Sequence, residues 1–365
     1  MFALEAMAQL AAETLADAGF DKREIDGLAI GAIPEAPLFA PSAVAEYLGI
    51  PSNFNEIVDL GGATAAGLVW RAAAAIEVGV CEAVLCLCPV VPPPGAPGKS
   101  SEAGRRKIST YMGGEAWGSP QALYEIPAGL VAAAPSYALL TKRYMAEFDL
   151  DEPTLARIAV QARHNAQGNP AALFFGQPID VATVMSSRML VDPVKLLEAV
   201  MPCYGGAAVL VAGSDRAARA KRRPALISGY GERLSHRSIT CMPDFLDPPL
   251  RVASQRAFQM AGTEPSAVDL ASIYDCFTIT VLLSLESAGF CARGTGAAFV
   301  RERDFSFDGG DFPLNTHGGQ LGFGQPGMAG GMSHVVEAVR QLQGRATGRQ
   351  LPRCDRVFCN GNGGM

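Results

Sequence analysis

The residue types best suited to chemistry gather in Asn315 to Gly331, N-T-H-G-G-Q-L-G-F-G-Q-P-G-M-A-G-G. Glycine at this density lets a backbone turn sharply and bring N–H groups close to negative charge developing on an oxygen. Within it His317 offers a proton carrier and Gln325 an amide donor. Tyr274, in Tyr274-Asp275-Cys276-Phe277, and Cys359, in Cys359-Asn360-Gly361, add a phenol and a thiol. If these stretches converge, the chemistry is proton transfer beside a site that holds an oxyanion. A fourth stretch, Asp59-Leu60-Gly61-Gly62, stands between a strand and a helix, a junction where an oxyanion or a nucleophile is often presented. Elsewhere Cys276, Cys291, His164, His236 and His334 read as structural, since buried thiols and imidazoles are ordinary core material.

The elements that must position these groups follow from periodicity. Val335, Val336, Val339 and Leu342 recur at helical spacing, so the Gly-rich loop opens a helix over Met332 to Leu342. Helices are also predicted over Leu4 to Ala18, Val44 to Leu48, Ala65 to Glu77, Tyr137 to Phe148, Leu155 to Gln167 and Val252 to Ala261. Buried strands are predicted over Asp26 to Ile33, Glu56 to Leu60, Glu82 to Leu87, Ala207 to Ala212, Ala225 to Tyr230, Val268 to Ile273 and Arg356 to Cys359. Ser187 to Asp192 leads through Pro193 to a short helix. Residues 89 to 135 are rich in Pro, Gly and Ser and read as a long surface excursion. Its cations Lys99, Arg105, Arg106 and Lys107 could face the phosphates of an anionic ligand, or simply water.

Two stretches repeat. In Leu15 to Ile30 and again in Phe258 to Ile273 a helix ends at Ala-Gly, a few polar residues intervene, and a strand begins around an Asp. This duplication implies two related α/β halves, residues 1–222 (with a loop region at about 89–190) and 223–365, with sites where they meet. Composition agrees with a packed α/β protein, with 49% hydrophobic and 18% charged residues. A net charge of −6 argues against nucleic acid as the main partner. Nine cysteines with no paired CxxC spacing indicate a reducing cytoplasm, no disulfide framework and no metal site. No apolar run is long enough to span a bilayer, and no signal-peptide order opens the chain.

Four motifs carry a family resemblance: Asp59-Leu60-Gly61-Gly62; Tyr274-Asp275-Cys276-Phe277 followed by Glu286-Ser287-Ala288-Gly289-Phe290-Cys291; the Gly-rich loop with Gly324-Gln325-Pro326; and Cys359-Asn360-Gly361. In this order the chain resembles the thiolase superfamily, and within it the thiolase-like proteins related to the thiolase domain of sterol carrier protein X. The resemblance runs over nearly the whole chain, lacking only the family's first strand. It implies a thiolase fold, two duplicated α/β halves in a layered α-β-α-β-α arrangement. It further implies a substrate carried as a coenzyme A thioester with no permanently bound cofactor, a homodimer, and a small partner protein with an OB-fold and a zinc ribbon. Gly62, Gly324, Asn360 and Gly361 become the candidate contacts to the CoA thioester.

The departures narrow the chemistry. Gly62 stands where the family's acyl-accepting Cys belongs, Gln325 replaces the His of Gly-His-Pro, and Tyr274 replaces the Asn or His of the third motif. Cys359 matches the second family Cys, which moves a proton at the α-carbon. Thiolytic cleavage needs a covalent thioester and therefore a nucleophile, which glycine lacks. Retro-aldol cleavage needs only a base for a β-hydroxyl proton, donors for the departing thioester enolate, and an acid to protonate it. Tyr274 would take the hydroxyl proton, directly or relayed through His317 and water, although a free phenol titrates near pH 10 and needs help to act as a base. Gln325 would hold the enolate oxygen, and Cys359 or Tyr274 would return the proton. Members with similar changes resemble the aldolases that shorten steroid side chains as CoA thioesters, except that those carry Tyr where this chain has Gln325. A thiolase-type acyltransferase and a non-catalytic subunit are the alternatives.

Overall fold

A computed structural model describes residues 1–33, 38–92 and 120–363. Lys99, Arg105, Arg106 and Lys107 lie outside the described residues. The helices of eight or more residues are α1 (Ala3–Ala18), α2 (Ala40–Leu48), α3 (Thr64–Glu77), α4 (Ala134–Glu147), α5 (Glu152–Ala166), α6 (Leu250–Ala261), α7 (Thr278–Ser287) and α8 (Gly330–Leu342). The strands are β1 (Gly27–Gly31), β2 (Phe54–Val58), β3 (Ala83–Val90), β4 (Met189–Val191), β5 (Val194–Lys195), β6 (Gly205–Ala212), β7 (Leu270–Ser272) and β8 (Val357–Cys359).

The main sheet runs β2-β1-β3-β6, parallel except for β6, which is antiparallel to β3. Strand side chains alternate between faces, so each strand feeds two cores. Leu28, Ile30, Leu85 and Leu87 point to α1, whose Met7, Ala11 and Leu15 form its buried stripe. Ala29, Val84, Cys86 and Cys88 point the other way, onto Leu68 and Ala72 of α3. Helix α8 packs on α3 and also on β7 and β8, which pair in parallel. Beyond that pair, Phe258 of α6 stacks on Phe358 of β8 with ring centroids 5.3 Å apart. The layers therefore read helix, sheet, helix, sheet, helix, with α3 and α8 sandwiched between the sheets, and the expected α/β arrangement stands.

The internal repeat is present as structure. Helix α1 ends at Gly19 in the left-handed conformation, a 3-10 turn follows over Lys22–Glu24, and β1 begins; α6 ends likewise at Gly262, with a turn at Pro265–Ala267 before β7. Two expectations need correction. Ala225 to Tyr230 is not a paired strand among the described residues; it runs beside α6 so closely that a Cβ on Gly229 would lie 2.2 Å from the Ala257 carbonyl. Its apolar pattern reflects a segment lying along a groove wall rather than a ladder. Ser187 to Asp192 leads into the small β4–β5 hairpin and then a 3-10 turn at Leu196–Glu198, in place of a helix.

The Gly-rich loop is held from behind by α8. Arg349 and Glu337 form a nearly fully buried ion pair, with Nη2 to Oε2 at 2.7 Å, and Glu337 Oε1 accepts from Thr316 Oγ1 at 2.6 Å. Gln341 Nε2 donates to the same Thr316 oxygen at 3.0 Å. Removing one partner of such a pair leaves a buried charge uncompensated. Arg349→Met is therefore expected to lower stability by roughly 3–5 kcal/mol in urea unfolding, whereas exposed Arg353→Met should change it by less than about 0.5 kcal/mol.

Candidate active site

The four motifs meet at Gly62. A Cβ built there would lie 2.1 Å from Tyr274 Cζ, 2.2 Å from Tyr274 Oη and 2.5 Å from the Asn362 carbonyl oxygen. Gly331, at the end of the Gly-rich loop, approaches from another side, its own Cβ position 2.6 Å from the Gly62 carbonyl oxygen. Gly361 is pressed against Ala63, with a Cβ position 2.5 Å from the Ala63 Cα. The space that a side chain at residue 62 would need is filled by the phenol of Tyr274. A side chain at residue 62 and the phenol of Tyr274 in this position therefore exclude each other.

Tyr274 follows β7 and is held at both ends. Its backbone N–H donates to Asn360 Oδ1 at 2.7 Å, and its phenol oxygen accepts from Gln325 Nε2 at 2.7 Å. A primary amide has two N–H donors, so Gln325 can hold the phenol oxygen with one and a second oxygen in the groove with the other. The Gln325 backbone is fixed by a bridge to the segment before β6: its N–H donates to the Met201 carbonyl and its carbonyl accepts from the Cys203 N–H, both at 3.0 Å. Tyr274, Gln325, Cys359, Asn360, Gly361 and Gly62 all line one large groove. Asn360 was expected to contact the CoA thioester. Its side chain accepts from the Tyr274 N–H and donates through Nδ2 to Ser284 Oγ at 3.3 Å, so from the groove wall it also supports the phenol.

Gly324 and His317 take places other than those expected. Gly324 does not line the groove; it turns at φ 110°, a conformation that favours glycine, and faces Cys203. His317 is buried behind the site, with Nε2 3.2 Å from Ser333 Oγ and Nδ1 without a partner. Burial pushes its pKa well below the ordinary imidazole range, so it is neutral. The imidazole beside Tyr274 is that of His334, read from sequence as structural: its ring centroid lies 6.2 Å from that of Tyr274 and 5.0 Å from that of His317. A relay from His317 to Tyr274 would therefore have to pass His334. His334 itself is fully buried, 3.4 Å from Asp275 Oδ1 and 3.2 Å from Ser272 Oγ. The Asp275 carboxylate also accepts from the backbone N–H groups of Gln320 and Leu321, at 2.7 and 3.2 Å, and so ties the Tyr274 motif to the Gly-rich loop.

Cys359, at the end of β8, is half-buried, and desolvation pushes its thiol up to about 12. At neutral pH it is a proton-bearing thiol, able to give a proton and poorly able to attack as a thiolate. Among the described residues no group of three or more His, Cys, Asp or Glu could hold a metal ion, and no helix is long and apolar enough to cross a membrane.

Two outcomes follow. Gly62→Cys should not create a thiolase: the added side chain collides with Tyr274, costing roughly 1–3 kcal/mol in urea unfolding, and intact-mass analysis after mixing with an acyl-CoA should show no acyl adduct. Cys359, with a pKa of about 12, should resist iodoacetamide at pH 8 while exposed Cys241 reacts. Its alkylation rate should climb about tenfold per pH unit between pH 7 and 9.5 as the small thiolate fraction grows, as read by peptide mass mapping.

Comparison with known proteins agrees with this geometry. Residues 231–365 match the family described as "Thiolase C-terminal domain-like". The steroid side-chain-cleaving aldolase of Thermomonospora curvata is 34% identical over 353 residues, covering 92% of this chain and 85% of that protein. The 17-hydroxy-3-oxo-4-pregnene-20-carboxyl-CoA lyase of Mycobacterium tuberculosis is 29% identical, covering 93% and 86%. Among solved structures, the Ltp2-ChsH2(DUF35) aldolase superposes with a TM-score of 0.84 at 29% identity, over 100% of this chain and 91% of that one. The chain belongs to the thiolase superfamily, among its thiolase-like members that include steroid side-chain-cleaving aldolases.

Proposed function

We propose that the protein is a carbon–carbon lyase that cleaves a β-hydroxyacyl-CoA by retro-aldol chemistry, without an acyl-enzyme, on a steroid or other bulky side chain. The observation that carries this reading is the Tyr274 phenol occupying the space of a residue-62 side chain. In the cleavage, the β-hydroxyl proton passes to the oxygen of ionised Tyr274 while the hydroxyl carbon becomes a carbonyl. The Cα–Cβ bond breaks and its electron pair moves into a thioester enolate. An N–H donor on the phenol oxygen supports the charge that oxygen must carry as a base, and Gln325 supplies one at 2.7 Å. Its second N–H, with backbone N–H groups of the Gly-rich loop, meets the enolate oxygen. The Cys359 thiol protonates the enolate carbon, is itself reprotonated by Tyr274, and a shorter acyl-CoA and a ketone or aldehyde leave.

In this reading coenzyme A enters as part of the substrate and no cofactor stays bound. The chain divides into halves at 1–222 and 223–365, works in the cytoplasm as a homodimer, and associates with a small OB-fold and zinc-ribbon protein to which any zinc belongs. Support for such an assembly is that a solved relative is titled as an aldolase with a DUF35 partner. The deciding assay follows carbonyl release from a β-hydroxyacyl-CoA, with and without that partner. Cleavage of a β-ketoacyl-CoA that requires free CoA would instead indicate a thiolase, and silence in both assays a non-catalytic subunit. Tyr274→Phe should lower kcat by about 10²–10⁴-fold, and Gln325→Leu by about 10²–10³-fold, with thermal unfolding little changed in both.

A further inference from the structure

A second phenol stands beside the site, on an element to which the motif reading gave no chemistry. Tyr137 lies in the first turns of α4, in the long segment between β3 and β6, with only 4% of its surface exposed. Its ring stacks on Phe277 at a centroid distance of 4.3 Å, and it lines the same groove as Tyr274. Its oxygen accepts two hydrogen bonds, from Asn362 Nδ2 and from Cys276 Sγ, both at 3.2 Å. Asn362 is a donor only on this side, so the hydroxyl hydrogen is free to turn between the Cys276 sulfur and an acceptor in the groove. Burial pushes this phenol well above its ordinary pKa, with Tyr274 among the neighbouring groups that raise it, so Tyr137 is a proton-bearing donor wherever the protein works.

Position selects its target. Asn362 places its carbonyl oxygen 2.5 Å from the Gly62 Cβ site, against which the Tyr274 phenol also presses, while its side chain holds Tyr137. The two phenols thus line one groove from different elements, close enough for the charge of Tyr274 to act on Tyr137. A substrate oxygen bound between them can hand its proton to Tyr274 while accepting from Tyr137. We propose that Tyr137 is a catalytic residue of the retro-aldol step, donating a hydrogen bond to the β-oxygen of the substrate as that oxygen loses its proton. The inference rests on the retro-aldol reading. No proton leaves Tyr137: its O–H bears the negative charge that grows on the β-oxygen while the proton moves to Tyr274 and the Cα–Cβ pair moves into the enolate. The donor makes the β-hydroxyl more acidic, and the phenol that acts as base is relieved of part of its burden.

The test is Tyr137→Phe in the full chain, with its partner protein if activity requires one, assayed on a β-hydroxyacyl-CoA from pH 6 to 10. The Phe ring preserves the stacking on Phe277. The expected result is a fall in kcat of about 10²-fold, KM within about threefold, and a rising limb of the kcat profile displaced to higher pH, with the thermal midpoint near that of the parent. A merely structural role would lower activity by the same factor at every pH. Parental kcat and an undisplaced limb overturn the proposal, as does a loss uniform in pH. If Tyr137→Phe does not fold, 3-fluorotyrosine at position 137 keeps the packing and makes the donor more acidic; a limb displaced to lower pH supports the proposal and an unmoved limb overturns it. An unsubstituted protein that fails to cleave any β-hydroxyacyl-CoA overturns the lyase reading and this inference together, whereas an active parent with an indifferent variant overturns this inference alone.

Discussion

Steric exclusion at residue 62 governs the site. No methyl group fits at residue 62, because a Cβ there would lie 2.1 Å from an aromatic carbon of Tyr274 and 2.5 Å from the Asn362 carbonyl oxygen. Cores packed to crystal-like density do not yield such space cheaply. With the phenol in that space, no side chain at residue 62 can act as a nucleophile. On the retro-aldol reading proposed above, the barrier is lowered by proton placement and oxyanion stabilisation, with no step divided through a covalent intermediate.

That demand explains the polar construction around the phenol. Asn360 pins the Tyr274 backbone at 2.7 Å, Gln325 meets its oxygen at 2.7 Å, and Asp275 binds the first amides of the adjoining turn. Each of these groups is buried or half-buried, where an unmade hydrogen bond costs more than a made one returns, so the arrangement is strongly specified. Behind it, the neutral imidazole of His317 and the Glu337–Arg349 pair hold the Gly-rich loop to α8. The Glu337–Arg349 pair sits one layer behind the groove face.

Much of this was legible in the sequence, for reasons that differ by element. Periodicity located α1, α3, α5 and α8 to within a few residues because each buries a regular apolar stripe. The motif order identified the fold, and Gly62, Tyr274, Gln325 and Cys359 do share one groove. Ala225 to Tyr230 shows the limit of pattern: an apolar alternation reports a half-buried extended chain but not whether a neighbouring strand exists to pair with it. His317 shows another, since a loop imidazole between glycines looks exposed until the loop is seen to fold over it. Asn362 contributes to the site through a backbone carbonyl, and no side-chain motif signals that. Tyr137 sits in α4 with ordinary helical surroundings, and only the tertiary approach of α4 to the C-terminal loop sets it beside Tyr274.

The peptide bridge between Gln325 and the Met201–Cys203 segment has a mechanical consequence. Gln325 belongs by chain order to the second repeat, yet its backbone is clamped on both sides by residues leading into β6 of the first, through two bonds of 3.0 Å. Tyr274 rides on β7, in the other sheet. The segment leading into β6 also grips the Tyr274 motif, since the Val200 N–H donates to the Cys276 carbonyl at 3.2 Å, so one stretch of the first repeat holds both partners of the 2.7 Å amide-to-phenol contact. A displacement of that one stretch would carry the amide and the phenol together, so their spacing is set by a shared clamp.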